Sequence, residues 1–296
     1  MQDKPPLKVT ELLRKYNLRP EKGLGQNFLV DQNALRKVIE VAGIEATDIV
    51  LEIGAGLGNL TYHLAKKAYH VVAVEIDANF LPPLHETLSS LDNTTLHIGD
   101  MLKLDPKELI IPHLDSDDLS SDQTNQYQRH PNYLVVANIP YYITSALVRH
   151  LLEADIKPNR VVLTVQSEVA SRICAKPGQM NLLALSVQVY GTPKILARIP
   201  ASAFYPAPKI DSAVVRIELF DTPFIPENNL NTYFQLLKAG FSQKRKTLRN
   251  TLSGGMAWPK DKTESILLAA GLDPQRRAQT LSLEEWDTLT RCALAG

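Results

Sequence analysis

The stretch that most restricts how this chain can fold is residues 49–61, Ile-Val-Leu-Glu-Ile-Gly-Ala-Gly-Leu-Gly-Asn-Leu-Thr. A short β-branched run passes without a break into three glycines at alternate positions. Glycines let the backbone turn sharply and approach a ligand closely, and a helix starting behind them presents N–H groups that have no partner within the helix. A glycine loop alone is common to many nucleotide-binding sheets, NAD enzymes among them. The spacing here is GxGxG, not the GxGxxG of the dinucleotide fingerprint.

Four comparable runs follow, at Val71–Val74, Thr95–Ile98, Leu134–Ala137 and Val161–Val165, with helix-like segments such as Thr144–Glu153 between them. Their apolar residues are largely continuous rather than alternating, as expected of strands covered on both faces. This β–α repetition predicts an α/β fold with a doubly wound, Rossmann-like parallel sheet. Ahead of it, Asp31 reads as the cap of a helix carrying Leu35, Val38, Ile39 and Ala42 on one face, with Gly43 as its stop. Behind it, no helix separates Leu185–Tyr190 from Ser212–Leu219, and the interval holds Pro193, Pro200, Pro206 and Pro208. These two runs are expected to pair as an antiparallel edge. Beyond Phe220 the pattern turns helical: Leu230, Tyr233, Phe234 and Leu237 share a face closed by Gly240, and further segments run over Thr263–Ala270 and Ser282–Leu294. The division predicted is an α/β domain over residues 1–220 and a small all-helical one over 221–296.

The strand tips carry the chemistry. Glu75 lies 21 residues beyond Gly54, where an acid can take both ribose hydroxyls of an adenosine. Gly99-Asp100-Met101 places a second carboxylate at the same sheet edge, able to accept from an adenine amine, with Met101 beside the ring. Each acid alone also reads as an ordinary strand-end residue; three such tips in strand order point to a nucleoside site. The next strand ends in Asn138-Ile139-Pro140-Tyr141 and brings no hydride-transfer residue. That separates a methyl donor, S-adenosylmethionine, from a hydride carrier. Methylating an aromatic amine requires the nitrogen to be oriented and its delocalised lone pair drawn out, without prior deprotonation. The Asn138 carbonyl can accept one N–H and the backbone carbonyl of Ile139 or Pro140 the other, and both bonds strengthen as positive charge develops. Pro140 stiffens the turn, and Tyr141 can stack on a base swung out of its helix.

The bulk properties set limits on partners. A chain of 296 residues with 44% hydrophobic and 22% charged residues needs no disulfides for its core. Cys174 and Cys292 have no metal-ligand spacing and read as reduced thiols; no metal is expected. With no apolar run of about 18 residues and no hydrophobic signal core, the chain is expected to be cytoplasmic, without membrane contact. The formal net charge is zero, so positive charge for a nucleic acid must be local. Residues 1–22 hold six basic residues against three acids, which reads as a solvated basic arm. Residues 241–250 carry Lys244, Arg245, Lys246 and Arg249 and no acid; on a helix Arg245 and Arg249 are i, i+4 neighbours. Arg276 and Arg277 extend this patch. The aspartate-rich 115–128 reads as a flexible insert.

Gly25–Leu29, Glu52–Gly58, Asn138–Tyr141, Ala203–Lys209 and Phe241–Asn250, in this order, resemble the KsgA/RsmA family of ribosomal RNA adenine dimethyltransferases over nearly the whole chain. The resemblance implies conversion of two adjacent adenosines near the 3′ end of small-subunit rRNA to N6,N6-dimethyladenosine. It implies S-adenosylmethionine held by Gln26, Asn27, Leu29, Gly54, Gly56, Glu75, Ile76, Asp100, Met101 and Asn138. Asn138, Pro140, Tyr141 and Phe204 would form the catalytic set, with Phe204 a second aromatic surface near the base. Lys244, Arg245, Lys246 and Arg249 would contact rRNA in the small subunit or its assembly intermediate, bound by a monomer. Ile139 stands where the family often has Leu, and Tyr142 where it often has Asn, the latter adding bulk near the base pocket. An Erm-like enzyme acting on large-subunit RNA and a non-catalytic RNA-binding assembly factor are the alternatives.

Overall fold

The structure, a computed structural model, describes residues 8–21, 23–114, 133–139 and 143–295. The aspartate-rich insert lies outside the described residues. Helix α1 (Val9–Lys15) and the short strand β1 (Phe28–Leu29) lead into α2 (Gln32–Ala42). Helix α2 buries Leu35, Val38, Ile39 and Ala42, as their spacing predicts. The Asp31 carboxylate accepts from the Ala34 N–H at 2.8 Å, and Gly43 ends the helix at φ +58°. Its last carbonyls, of Ala42 and Gly43, take hydrogen bonds from the Arg160 guanidinium at 2.7 and 3.1 Å.

The alternating core is β2 (Ile49–Ile53), α3 (Asn59–Ala65), β3 (His70–Glu75), α4 (Leu81–Leu88), β4 (Thr94–Ile98), α5 (Pro106–Ile110), β5 (Tyr133–Asn138), α6 (Thr144–Leu152) and β6 (Arg160–Gln166). Then come α7 (Ser167–Ile173), α8 (Leu182–Gln188), β7 (Gly191–Ile199), β8 (Phe204–Tyr205) and β9 (Ser212–Leu219). Seven strands form one sheet in the order β4-β3-β2-β5-β6-β9-β7, and β1 pairs with β8 in a separate antiparallel ribbon. Strands β4 to β6 in that order are parallel, while β9 runs antiparallel to β6. Val50, Val71, Ala73, Leu134, Val136 and Val162 pack on one face with the apolar sides of α1 to α4. Their neighbours Leu51, Val72, Val135 and Leu163 point the other way and are equally buried. Burial on both faces is why these strands read as unbroken apolar runs. The outermost strand, β4, is only partly covered. Because β2 has β3 on one side and β5 on the other, the winding reverses between the tips of β2 and β5, where such sheets bind ligands.

One expected strand is corrected. Leu185–Tyr190 is not a strand: Leu182–Gln188 is helical, with the Asn181 side chain accepting from the Ala184 N–H at 3.1 Å. A short apolar run bears no period that distinguishes the two states, and the capping asparagine decides it. The strand lies just beyond, at β7, and β9 intervenes between β6 and β7.

The chain forms two compact units. One holds the residues up to Ala170 with Lys194–Leu219; the other holds Ser171–Pro193 with everything from Phe220 onward. Sequence reading divided the chain once, at residue 220. The excursion 171–193 groups with the C-terminal helices, where the Tyr233 hydroxyl donates to the Leu185 carbonyl at 3.0 Å. Those helices are α9 (Glu227–Gly240), α10 (Leu248–Gly255), α11 (Lys260–Ala269) and α12 (Leu283–Ala295). Ser282 and Glu285 cap α12 reciprocally, at 3.2 and 2.8 Å, and Glu285 also receives the Arg276 guanidinium at 2.5 and 3.0 Å. Helices α9 and α10 approach so closely that a Cβ on Gly255 would stand 2.4 Å from the Ala239 Cβ and 2.7 Å from its Cα. Gly255→Ala is therefore expected to destabilise the protein by about 1–3 kcal/mol. Gly254→Ala, whose methyl group meets nothing within 4 Å, should be neutral or gain up to about 1 kcal/mol. Denaturant unfolding of the two variants checks the contrast.

Candidate active site

A cavity of about 290 Å³ opens at the tips of β2, β3, β4 and β5. The glycine loop forms its floor. Gly54 and Gly56 both adopt positive φ, +84° and +58°. A Cβ on Gly54 would stand 3.1 Å from the Asn138 backbone oxygen, and one on Gly56 would meet the Phe28 ring at 3.0 Å. The loop thus needs glycine twice over, for its backbone angles and for what presses on it. The Gly54 and Ala55 N–H groups both donate to the Val74 carbonyl, at 2.9 and 3.2 Å, which ties the loop to β3.

Glu75, at the tip of β3, is buried. Its carboxylate accepts from the Gly56 N–H at 2.7 Å and the Asp77 N–H at 3.0 Å. Burial pushes its pKa up, and these backbone donors oppose the shift. At the next tip the Gly99 N–H donates to the Glu75 carbonyl at 2.8 Å, and Asp100 accepts from the Leu102 N–H at 3.1 Å. Met101 is buried against the cavity, and Ile76 lies half exposed at its rim. Gln26 donates to Asp77 at 3.2 Å, so the segment 24–29 is fastened across the opening. Asn138 donates its side-chain amide to the Asn27 carbonyl at 3.1 Å.

Every residue expected at the cofactor site therefore lines one cavity: Gln26, Asn27, Leu29, Gly54, Gly56, Glu75, Ile76, Asp100, Met101 and Asn138. Pro140 and Tyr141, with Tyr142, lie outside the described residues. Phe204 is placed differently from expectation. It is 4% exposed, packed in the core beneath the β1–β8 ribbon, and does not line the cavity; its neighbour Tyr205 is 41% exposed. Along β8 successive side chains alternate, and it is Phe204 that packs into the core while Tyr205 faces outward.

The basic segment also differs. Residues 241–247 form a turn, not a helix, so Arg245 and Arg249 share no helical face. Lys244, Arg245 and Lys246 are exposed, whereas Arg249, on α10, pairs with Glu264 at 2.8 Å. Arg276 is committed to Glu285 and the Thr280 carbonyl.

Sequence reading missed that residues 9–16 are more than a basic arm. Val9, Leu12 and Leu13 are buried, Val9 reaches the cavity, and Lys15 and Tyr16 both hydrogen-bond Glu86, at 2.6 and 2.5 Å. The spacing of Val9, Leu12, Leu13 and Tyr16 was the signal, masked by the charges between them. Phe28, Asn59 and Phe80 also line the cavity without having been singled out. Among the described residues no group of histidine, cysteine or acidic side chains is arranged to hold a metal, and no helix is long and apolar enough to cross a membrane.

Residues 17–290 match the family described as ribosomal RNA adenine dimethylase. The chain belongs to that family. It is a methyltransferase, with S-adenosylmethionine as its cofactor. Among similar proteins is the ribosomal RNA small subunit methyltransferase A of Dehalococcoides mccartyi strain BAV1, 42% identical over 94% of this chain and 90% of the relative. That of Moorella thermoacetica is 40% identical over 97% and 96%. Among solved structures, the 23S rRNA methyltransferase ErmE is 26% identical with a TM-score of 0.68, covering 90% of this chain and 99% of that one. A Plasmodium falciparum dimethyladenosine transferase, 24% identical with a TM-score of 0.71 over 88% and 95%, shares the fold.

Glu52, the penultimate residue of β2, is fully buried. Burial pushes its carboxyl up to about 8, Thr61 opposing and Glu75 adding to the shift. The folded protein therefore keeps a proton here that the unfolded chain releases above about 4.5. The sign follows: stability is unaffected by this group below 4.5 and is lost as pH rises toward 8, by on the order of a few kcal/mol. Glu52→Gln should accordingly melt above the wild type at pH 8–9, with the gap closing toward pH 5; melting curves across that range test it.

Proposed function

We propose that this protein transfers methyl groups from S-adenosylmethionine to N6 of two adjacent adenosines near the 3′ end of small-subunit rRNA, giving N6,N6-dimethyladenosines. Its substrate on this reading is the small subunit or an assembly intermediate, met in the cytoplasm by a monomer. The names of the relatives support the small subunit, and the observation that carries the chemistry is the orientation of the Asn138 amide.

That amide gives its NH2 to the Asn27 carbonyl, so its oxygen occupies the other side as an acceptor. An adenine N6 brought to this tip finds an acceptor for one N–H, and the bond strengthens as the nitrogen gains positive charge. The Ile139 carbonyl is next in the chain for the second N–H. After the first transfer one N–H remains, which Asn138 alone can orient. The proton left on the product nitrogen passes to solvent. When bound, S-adenosylmethionine supplies an electrophilic methyl on its sulfonium. Glu75 would hold its ribose, Asp100 and Met101 its adenine, and Gln26, Asn27 and Leu29 its amino-acid end. The fit rests on Glu75: a buried carboxylate at the cavity wall gains most from two hydroxyl donors. Tyr141 is proposed to stack on the target base, and the exposed Lys244, Arg245 and Lys246 to take phosphates, which position RNA without selecting sequence; Arg249, paired with Glu264, is left out of that set.

Asn138→Ala should lower methyl transfer by about 10²- to 10³-fold. S-adenosylmethionine binding, measured by calorimetry, should persist in the variant and weaken far less than the rate, because the other cavity residues still hold the cofactor. An unchanged rate would refute the role given to Asn138. Labelled transfer to subunits lacking the modification, followed by mapping of the methylated nucleotides, tests the substrate; label confined to large-subunit RNA would point instead to an Erm-like activity.

A further inference from the structure

We propose that Asn59 is a positioning residue for methyl transfer, acting through the segment 27–29 to hold the Asn138 amide in its accepting orientation. The inference rests on the methyltransferase reading above. It begins from the partner of Asn138. The amide is oriented by a main-chain carbonyl, that of Asn27, 111 residues away in sequence. A carbonyl orients only as well as its own segment is held, and this segment is neither helix nor part of the main sheet.

Two residues on, the Leu29 carbonyl accepts from the Asn59 side-chain amide at 2.7 Å. The bond is buried, and Asn59 itself is 8% exposed. On the other edge β1 is held by β8, in the register Phe28↔Tyr205, and the Val30 N–H donates to the Ala203 carbonyl at 2.9 Å. The side chain of Asn59 therefore fastens the segment to the start of α3, directly after the glycine loop. The same loop meets Asn138 from below, at Gly54. The three contacts close a circuit: Asn59 to Leu29, Asn27 to Asn138, and Asn138 back to Gly54. Removing the Asn59 donor leaves the Leu29 carbonyl buried without it and releases one edge of the segment. The Asn27 carbonyl then drifts, and the Asn138 amide loses its fixed orientation.

Asn59 also lines the cavity, so a direct role in holding the cofactor would be the rival explanation. The two differ in which measurement moves. Single-turnover methyl transfer to unmodified small subunits is measured for the wild type, Asn59→Ala, Asn138→Ala and the double variant, with cofactor affinity from calorimetry. Asn59→Ala should slow transfer by about 10- to 100-fold. Cofactor affinity should change by less than about threefold. In the Asn138→Ala background the same substitution should cost less than about threefold, because the group it positions is gone. Asn59→Asp, which keeps the shape and gives up the donor, should behave as Asn59→Ala does and guards against an alanine variant that folds poorly. A full, multiplicative penalty in the double variant would overturn the proposal, as would a loss carried wholly by cofactor affinity. An inert wild type on these subunits would instead count against the substrate reading.

Discussion

Two strand tips, 84 residues apart in sequence at Gly54 and Asn138, approach so closely that even a Cβ on Gly54 would stand 3.1 Å from the Asn138 backbone oxygen. The rest of the site depends on that contact. It exists because β2 and β5 are neighbours in the sheet although β3 and β4 lie between them in sequence. The crossover opens a crevice at the switch point, and the glycine loop floors it without filling it. Any other residue at Gly54 would be strained at φ +84° and would press on the Asn138 main chain, which would have to give by a few tenths of an ångström.

Around this contact the polar groups are arranged by main-chain atoms more than by side-chain pairs. Glu75 is held by two backbone N–H groups, Asn138 by a backbone carbonyl, and Asp100 by the N–H of its own turn. Main-chain partners do not rotate away as long side chains do, so the functional groups are fixed before any ligand arrives. Burial raises the pKa of both acids, Glu52 to about 8, while backbone N–H donors oppose the rise at Glu75. A cavity built this way favours a ligand that brings hydroxyl and amine donors to its acids and an apolar ring to Met101 and Ile76.

Much of this was legible in the residues themselves. The five parallel strands could be read because burial on both faces leaves an unbroken apolar run, and α2 because Asp31 and Gly43 mark its ends. Gly54, Glu75, Asp100 and Asn138 could be expected to line one cavity because each stands at or just beyond a strand tip, a position defined by local pattern. Gln26, Asn27 and Leu29 followed only from the family resemblance. Leu185–Tyr190 was misread as a strand because a short apolar run fits a strand or a helix, and the Asn181 cap decides for the helix Leu182–Gln188. Phe204 was misplaced because a motif gives its order in sequence but not which face of a two-residue strand looks inward. The basic stretch 241–250 was read as one helical face, yet its chain turns until Thr247, and Arg249 is claimed by Glu264.

The sequence by itself determined the five parallel strands, helix α2 and the glycine loop with the acids at the strand tips, because these depend on residues within a few positions of one another. Tertiary structure alone decided what spans the chain: that α1 packs onto the sheet, that residues 171–193 join the C-terminal helices, and that Asn27 orients Asn138. These are contacts between segments tens of residues or more apart. No local period records them; they exist only once the hydrophobic faces have been buried against each other.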